Sequence, residues 1–222
     1  MNNKSLSRFT SKSASLAIVL IVLVAFAGVS ASAAGLGNTK QFVVEMKMAS
    51  EMGESAGQTM NATYYVGQDR MRMDMTMGGM PGGSHITAFD GDQVTMVMLI
   101  PQMNAYTKRT GSLEDMQDEG PALIFGSPED SDHPCQADPD TTCEKIGSDT
   151  LLGRSVDKYL VNDMEDGVPT ESTIWIDRDL LFPIKVEGSD GSMEATSIEF
   201  GAQPDELFEI PAGYSEMQMP NF

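Results

Sequence analysis

The octet Arg70-Met71-Arg72-Met73-Asp74-Met75-Thr76-Met77 alternates polar and apolar residues without a break. In an extended strand successive side chains point to opposite faces. The four methionines therefore line one face, and Arg70, Arg72, Asp74 and Thr76 take the other, wetter one. A chain built around such a segment is committed to β structure.

The same period recurs on either side. Phe42–Met48 begins alternating, and Thr59–Val66 continues it after a glycine-bearing turn between Gly53 and Gly57. Ser84–Phe89 and Gln93–Ile100 flank Asp90-Gly91, a strong hairpin signal, and a short strand is expected over Asn104–Lys108. Between them, Gly78-Gly79-Met80-Pro81-Gly82-Gly83 reads as a loop, because glycine and proline interrupt a strand. Four more strands are predicted at Gly153–Val161, Glu171–Ile176, Leu181–Glu187 and Met193–Phe200, with turns at Asp166-Gly167, Asp177–Asp179 and Asp190-Gly191. Ser112 followed by Leu113, Glu114 and Asp115 carries the cap and early acids of a helix start, predicting a helix over Leu113–Glu119 that resumes at Ala122–Phe125. A short segment, Leu207–Ile210, and a flexible tail over 215–222 end the chain. Adjacent strands with short connections predict an antiparallel meander in a mainly β (α+β) domain.

The N-terminus reads as a secretory signal. Lys4, Arg8 and Lys12 precede the apolar run Leu16–Val29, which is shorter than the roughly 20 residues a membrane helix needs. The small residues Ala31, Ser32, Ala33 and Ala34 follow, and cleavage is expected after Ala33 or Ala34. Residues 1–34 are thus the signal and 35–222 a single domain, with 35–39 flexible. The expected location is the periplasm or the cell exterior.

The full chain carries a formal net charge of −19, and removing the cationic signal makes the mature part more acidic still. Phosphate binding needs a basic surface, so nucleic acid is not an expected partner, and anionic membrane surfaces are disfavoured for the same reason. The acids between Glu114 and Asp140 lack the regular spacing and turn glycine of a calcium loop. They read as a solvated surface.

Cys135 and Cys143 form a close, even pair in an exported chain, which reads as a disulfide stapling a long loop. A metal site with His133 supplies only three ligands, and the spacing is not that of a redox-active C-x-x-C. No nucleophile elbow, zinc-protease helix, phosphate loop or dinucleotide fingerprint occurs. The two neutral-pH bases, His85 and His133, have no Ser, Cys or metal-ligand context. The sequence therefore points away from an enzyme and calls for no cofactor.

Tyr65-Val66-Gly67, Arg70-Met71-Arg72 and Leu99-Ile100-Pro101 with Tyr106 occur in an order that resembles secreted bacterial proteins related to the LolA and LolB lipoprotein carriers. The second half adds Asp166-Gly167, Trp175-Ile176-Asp177, Phe182-Pro183-Ile184-Lys185 and Phe208-Glu209-Ile210-Pro211-Ala212-Gly213-Tyr214. The resemblance covers Lys40 to Tyr214. It implies a strongly curved antiparallel sheet, an unclosed barrel, with one or two short helices against its concave apolar face. In the carriers that face shelters acyl chains. For this chain the resemblance implies a monomeric carrier of a hydrophobic ligand or lipoprotein acyl chain, with a transient envelope-protein partner.

Methionine is the unusual residue, 18 in the chain. Met71, Met73, Met75 and Met77 share a face; so do Met96 and Met98, and Met46 and Met48. On a curved sheet these eight thioethers would pave the concave wall. Three readings stay open: a core filled by flexible side chains, an adaptable cavity for a lipid, and soft-metal binding, with Met71, Met73 and Met75 as Cu(I) ligands. The eight methionines are the candidate ligand-binding residues, and the alternatives to a carrier are a Cu(I)-binding protein and a structural envelope protein.

Overall fold

The structure, a computed structural model, describes residues 40–50, 57–112, 142–165 and 168–218. Each segment with period-two alternation forms a strand, because only pairing in a sheet satisfies its backbone groups while burying one face. The first six are β1 (Phe42–Ser50), β2 (Thr59–Val66), β3 (Arg70–Met77), β4 (Met80–Asp90), β5 (Gln93–Ile100) and β6 (Ala105–Ser112). The next five are β7 (Thr142–Leu151), β8 (Arg154–Glu165), β9 (Val168–Asp177), β10 (Phe182–Gly188) and β11 (Gly191–Phe200). A two-residue strand, β12 (Ser215–Glu216), ends the described chain.

All twelve belong to one sheet, in the order β12-β6-β5-β4-β3-β2-β1-β11-β10-β9-β8-β7. Two antiparallel meanders, β1–β6 and β7–β11, are thus joined edge to edge by the pairing of β1 with β11. The ladder does not close: β7 ends one side, and β12 pairs parallel with β6 at the other, making the sheet mixed. At the β1–β11 seam, Gly191 lies so close to Ala49 that an added Cβ would stand 2.2 Å from the Ala49 carbonyl oxygen, so only glycine fits.

The sheet curls on itself. In a flat sheet, strands three steps apart lie about 14 Å from one another. Yet Tyr64 of β2 and Phe182 of β10, three steps apart, meet with ring centroids 5.5 Å apart, and Phe42 of β1 meets Phe182 at 5.6 Å. The main core fills this concave side. It joins Phe42, Val44, Tyr64 and Val66 from one meander to Val156, Ile174, Phe182 and Ile184 from the other.

A smaller core lies on the opposite, convex side. Ile86, Val97 and Leu99 pack there against Tyr106 and against Phe208, Ile210 and Tyr214 of the C-terminal segment. Arg72 holds this segment by donating to the Leu207 carbonyl at 2.8 Å, while Arg70 pairs with Asp205 and stacks over Phe208 at 4.8 Å. Leu207 and Phe208 sit in a 3-10 turn, Asp205–Phe208, and Ser215–Glu216 then join β6 where a flexible tail was expected to begin.

Three expectations need correction. The glycine-rich loop is confined to Gly78-Gly79, both at positive φ, and Met80-Pro81-Gly82-Gly83 belong to β4. A bulge opposite Met75/Thr76 absorbs the extra residue, and Pro81 is tolerated because pairing of β4 with β5 begins only at Ser84, so the missing N–H would have faced no strand. β7 was not anticipated, since as an outer strand it buries no residue fully, half-burying only a few such as Cys143 and Leu151, and shows no apolar alternation. Ser112 ends β6, paired with Gln93, instead of starting a helix.

The helices expected over Leu113–Glu119 and Ala122–Phe125 lie outside the described residues, as do His133, Cys135 and the acidic stretch. Among the described residues the only helical turns are Asp205–Phe208 and Pro101–Met103. Cys143 stands in β7 against the main core, and no described cysteine is free.

Candidate functional site

Directly paired residues on neighbouring strands share a face, so the register sorts every methionine. Met46 and Met48 of β1 oppose Ala62 and Met60 of β2; Met60, Ala62, Tyr64 and Val66 oppose Met77, Met75, Met73 and Met71 of β3. Met71 and Met73 oppose Thr87 and His85 of β4, which in turn oppose Met96 and Met98 of β5. All eight methionines selected from the sequence therefore fall on one face, and that face is the concave one, because Met46, Met71 and Met73 enter the main core.

Sequence reasoning missed Met60, Met193 and His85 on the same face. Met193 opposes Met48 across the seam, a pairing between residues 145 positions apart that no local pattern reveals. His85 was set aside as a lone histidine. Its position between two methionines of other strands follows from the register of β3, β4 and β5 alone.

Exposure on this face is graded. Along β3 it rises from 8% at Met71 and Met73 through half-buried Met75 to 48% at Met77; along β5 it rises from 1% at Val94 through half-buried Met96 to 38% at Met98. Both strands run the same way, being two antiparallel steps apart. The two gradients therefore coincide, and the concave face opens toward one end, where Met80 is 69% exposed.

The strip around His85 carries small or uncharged groups, and Arg109 of β6, opposite Met96, stands at its margin. Thr87 and Thr107, in line with Met96 and Met98, are buried, and half-buried His85 sits among them with its imidazole pKa pushed down by desolvation. No cluster of three or more His, Cys, Asp or Glu able to hold a metal occurs among the described residues. The face thus offers thioethers, an imidazole and hydroxyls, a surface suited to apolar or soft partners.

The far arm is built differently. Arg154 of β8 forms a two-pronged ion pair with Asp177, whose carboxylate also accepts the backbone N–H groups of Asp179 and Leu180 at 2.9 Å each. On the convex side the Lys158 and Lys185 ammonium groups lie 4.7 and 4.9 Å from the centre of the Trp175 ring. None of these charges lies in the methionine strip.

No family model matches the chain, and no curated protein matches it. Similar solved structures include a LolA-superfamily protein from Nitrosomonas europaea, at 9% identity and a TM-score of 0.33, covering 77% of this chain and 90% of that one. The lipoprotein LppX from Mycobacterium tuberculosis is similar at 13% identity and a TM-score of 0.36, covering 74% and 86% of the two chains. LprF from Mycobacterium bovis is similar at 12% identity and a TM-score of 0.37, covering 79% and 90%. The likeness is one of overall outline and reaches no side chain.

Proposed function

We propose that this chain is an exported binding protein that holds a hydrophobic molecule, an acyl chain or lipoprotein anchor, against the methionine-lined concave face of its sheet. The observation that carries the reading is the matched gradient of exposure along β3 and β5, from buried Met71 and Val94 to exposed Met77 and Met98. An acyl chain inserted at the exposed end gains about 0.8 kcal/mol for each CH₂ removed from water. Unbranched thioether side chains adapt to cargo of varied shape at little cost. The strong acidity keeps an open apolar face soluble and away from anionic membranes.

The neutral probe N-phenyl-1-naphthylamine tests this. Saturable binding with enhanced fluorescence is expected from the wild type. Changing Met75 and Met98 together to Gln, close in length but polar, is expected to weaken it at least tenfold with little change in the urea midpoint. Absence of saturable binding in the wild type, or equal binding by the variant, would remove the carrier reading. Export is part of the same proposal, with a mature N-terminus at Ala34 or Gly35; N-terminal sequencing that finds Met1 on the exported protein would contradict it.

A further inference from the structure

We propose that the row Met73–His85–Met98, formed across β3, β4 and β5, is a site for a monovalent soft metal ion, Cu(I), distinct in chemistry from the apolar binding of the same face. Along a single strand, same-face side chains are spaced by about 7 Å, so Met71, Met73 and Met75 alone span about 13 Å and diverge on a pleated strand. Across strands the spacing is about 4.8 Å. Met73 is in direct register with His85, and His85 with Met98, so the three stand in line on one face of three neighbouring strands. Each thioether sulfur lies three bonds out from its Cα. Two such arms are long enough to reach over the imidazole between them from the flanking strands, and concave curvature shortens that reach.

The donor set selects the ion. Two neutral thioethers and one imidazole suit Cu(I), and offer nothing to Ca²⁺, Mg²⁺ or Mn²⁺. His85 has Met73 and Met98 beside it and Met71, Met75 and Met96 at the diagonal positions, and no charged residue occupies any same-face position adjoining it on β3, β4 or β5. The site is thus rich in sulfur and has no carboxylate to recruit a harder ion. Its exposure is also graded: Met73 is buried, His85 half-buried and Met98 accessible, which gives an ion an entry side and a held side. No described cysteine is free, so no thiolate from β7 competes.

The test uses the whole mature chain with ascorbate, which keeps copper as Cu(I) and leaves disulfides intact, and competition against bicinchoninate. One Cu(I) per chain is expected, with an absorption-edge spectrum showing sulfur and nitrogen ligands together. Changing Met73 and Met98 together to Leu preserves apolar volume and is expected to lower Cu(I) affinity at least a hundredfold while N-phenyl-1-naphthylamine binding persists. His85→Gln is expected to lower it at least tenfold and to remove the nitrogen signature. Met48→Leu, on the same face three strands away, is expected to change nothing. Failure of the wild type to compete with bicinchoninate, affinity unchanged in the double Leu variant, or an equal loss in Met48→Leu would each overturn the site. None of these outcomes bears on the dye titration, so metal and carrier readings fail separately.

Discussion

The two meanders that meet at the β1–β11 seam are built from different materials. The β7–β11 arm packs Ile174, Phe182 and Ile184 into the core and locks its strands with Arg154–Asp177 and with Lys145 and Arg178 on Asp157. Beyond Phe42, Val44, Tyr64 and Val66 beside the seam, the β1–β5 arm faces it with methionines, and ion pairing such as Arg72–Asp74 lies on its convex side among the described residues. Branched and aromatic side chains have few rotamers and define a fixed wall, while methionine has three flexible bonds and conforms to what it meets. A curled sheet with one stiff wall and one yielding wall keeps its shape while accommodating guests of different outline.

The largest test of that contrast is Phe182→Ala. Phe182 is 1% exposed and bridges the arms through Phe42 and Tyr64. Its truncation is expected to cost about 3–5 kcal/mol in urea unfolding. A cost below about 1 kcal/mol would mean that the arms do not depend on one another.

Next in size is the edge of the stiff arm. A Cys135–Cys143 bridge, proposed from the sequence, closes a short loop onto β7 and would contribute about 2.5 kcal/mol by restricting the unfolded chain. Replacing both cysteines with Ser is expected to lower stability by that amount. Two reactive thiols on non-reducing denaturation of the wild type would remove the bridge.

Within the yielding arm, Met73→Ala and Met98→Ala measure the gradient itself. The buried site is expected to cost about 2 kcal/mol, and the exposed one below about 0.5 kcal/mol, read from urea midpoints. Equal costs would erase the distinction between core and opening.

The smallest effect is electrostatic. Burial opposes ionisation of Asp157, but hydrogen bonds from Lys145 at 2.7 Å, from Arg178 and from Ser148 at 2.9 Å outweigh it and hold the carboxyl below its ordinary value of 3.8. A depressed carboxylate contributes stability that is complete above the unfolded value and fades as pH falls through the folded one. Asp157→Asn is therefore expected to flatten the acid limb of stability below about pH 4, with β7 amides losing hydrogen-exchange protection before those of β3. An unchanged acid limb would place acid sensitivity elsewhere.

Local chemistry decided what each segment could be. Strict alternation made Arg70–Met77 a strand with all its thioethers on one side, and Thr59–Val66 and Gln93–Ile100 were legible to the residue, because side-chain period is a property of the extended backbone itself. The same logic failed where burial is absent or geometry is borrowed from a neighbour. β7 has no apolar alternation to mark it, and Met80–Gly83 extends only because β3 supplies partners across a bulge. Which faces meet was beyond the sequence. Register between strands fixes that His85 stands between Met73 and Met98, and the curl that sets Tyr64 on Phe182 separates buried methionines from exposed ones. Both depend on pairings between residues far apart in the chain, whose free energy exists only once the sheet has assembled.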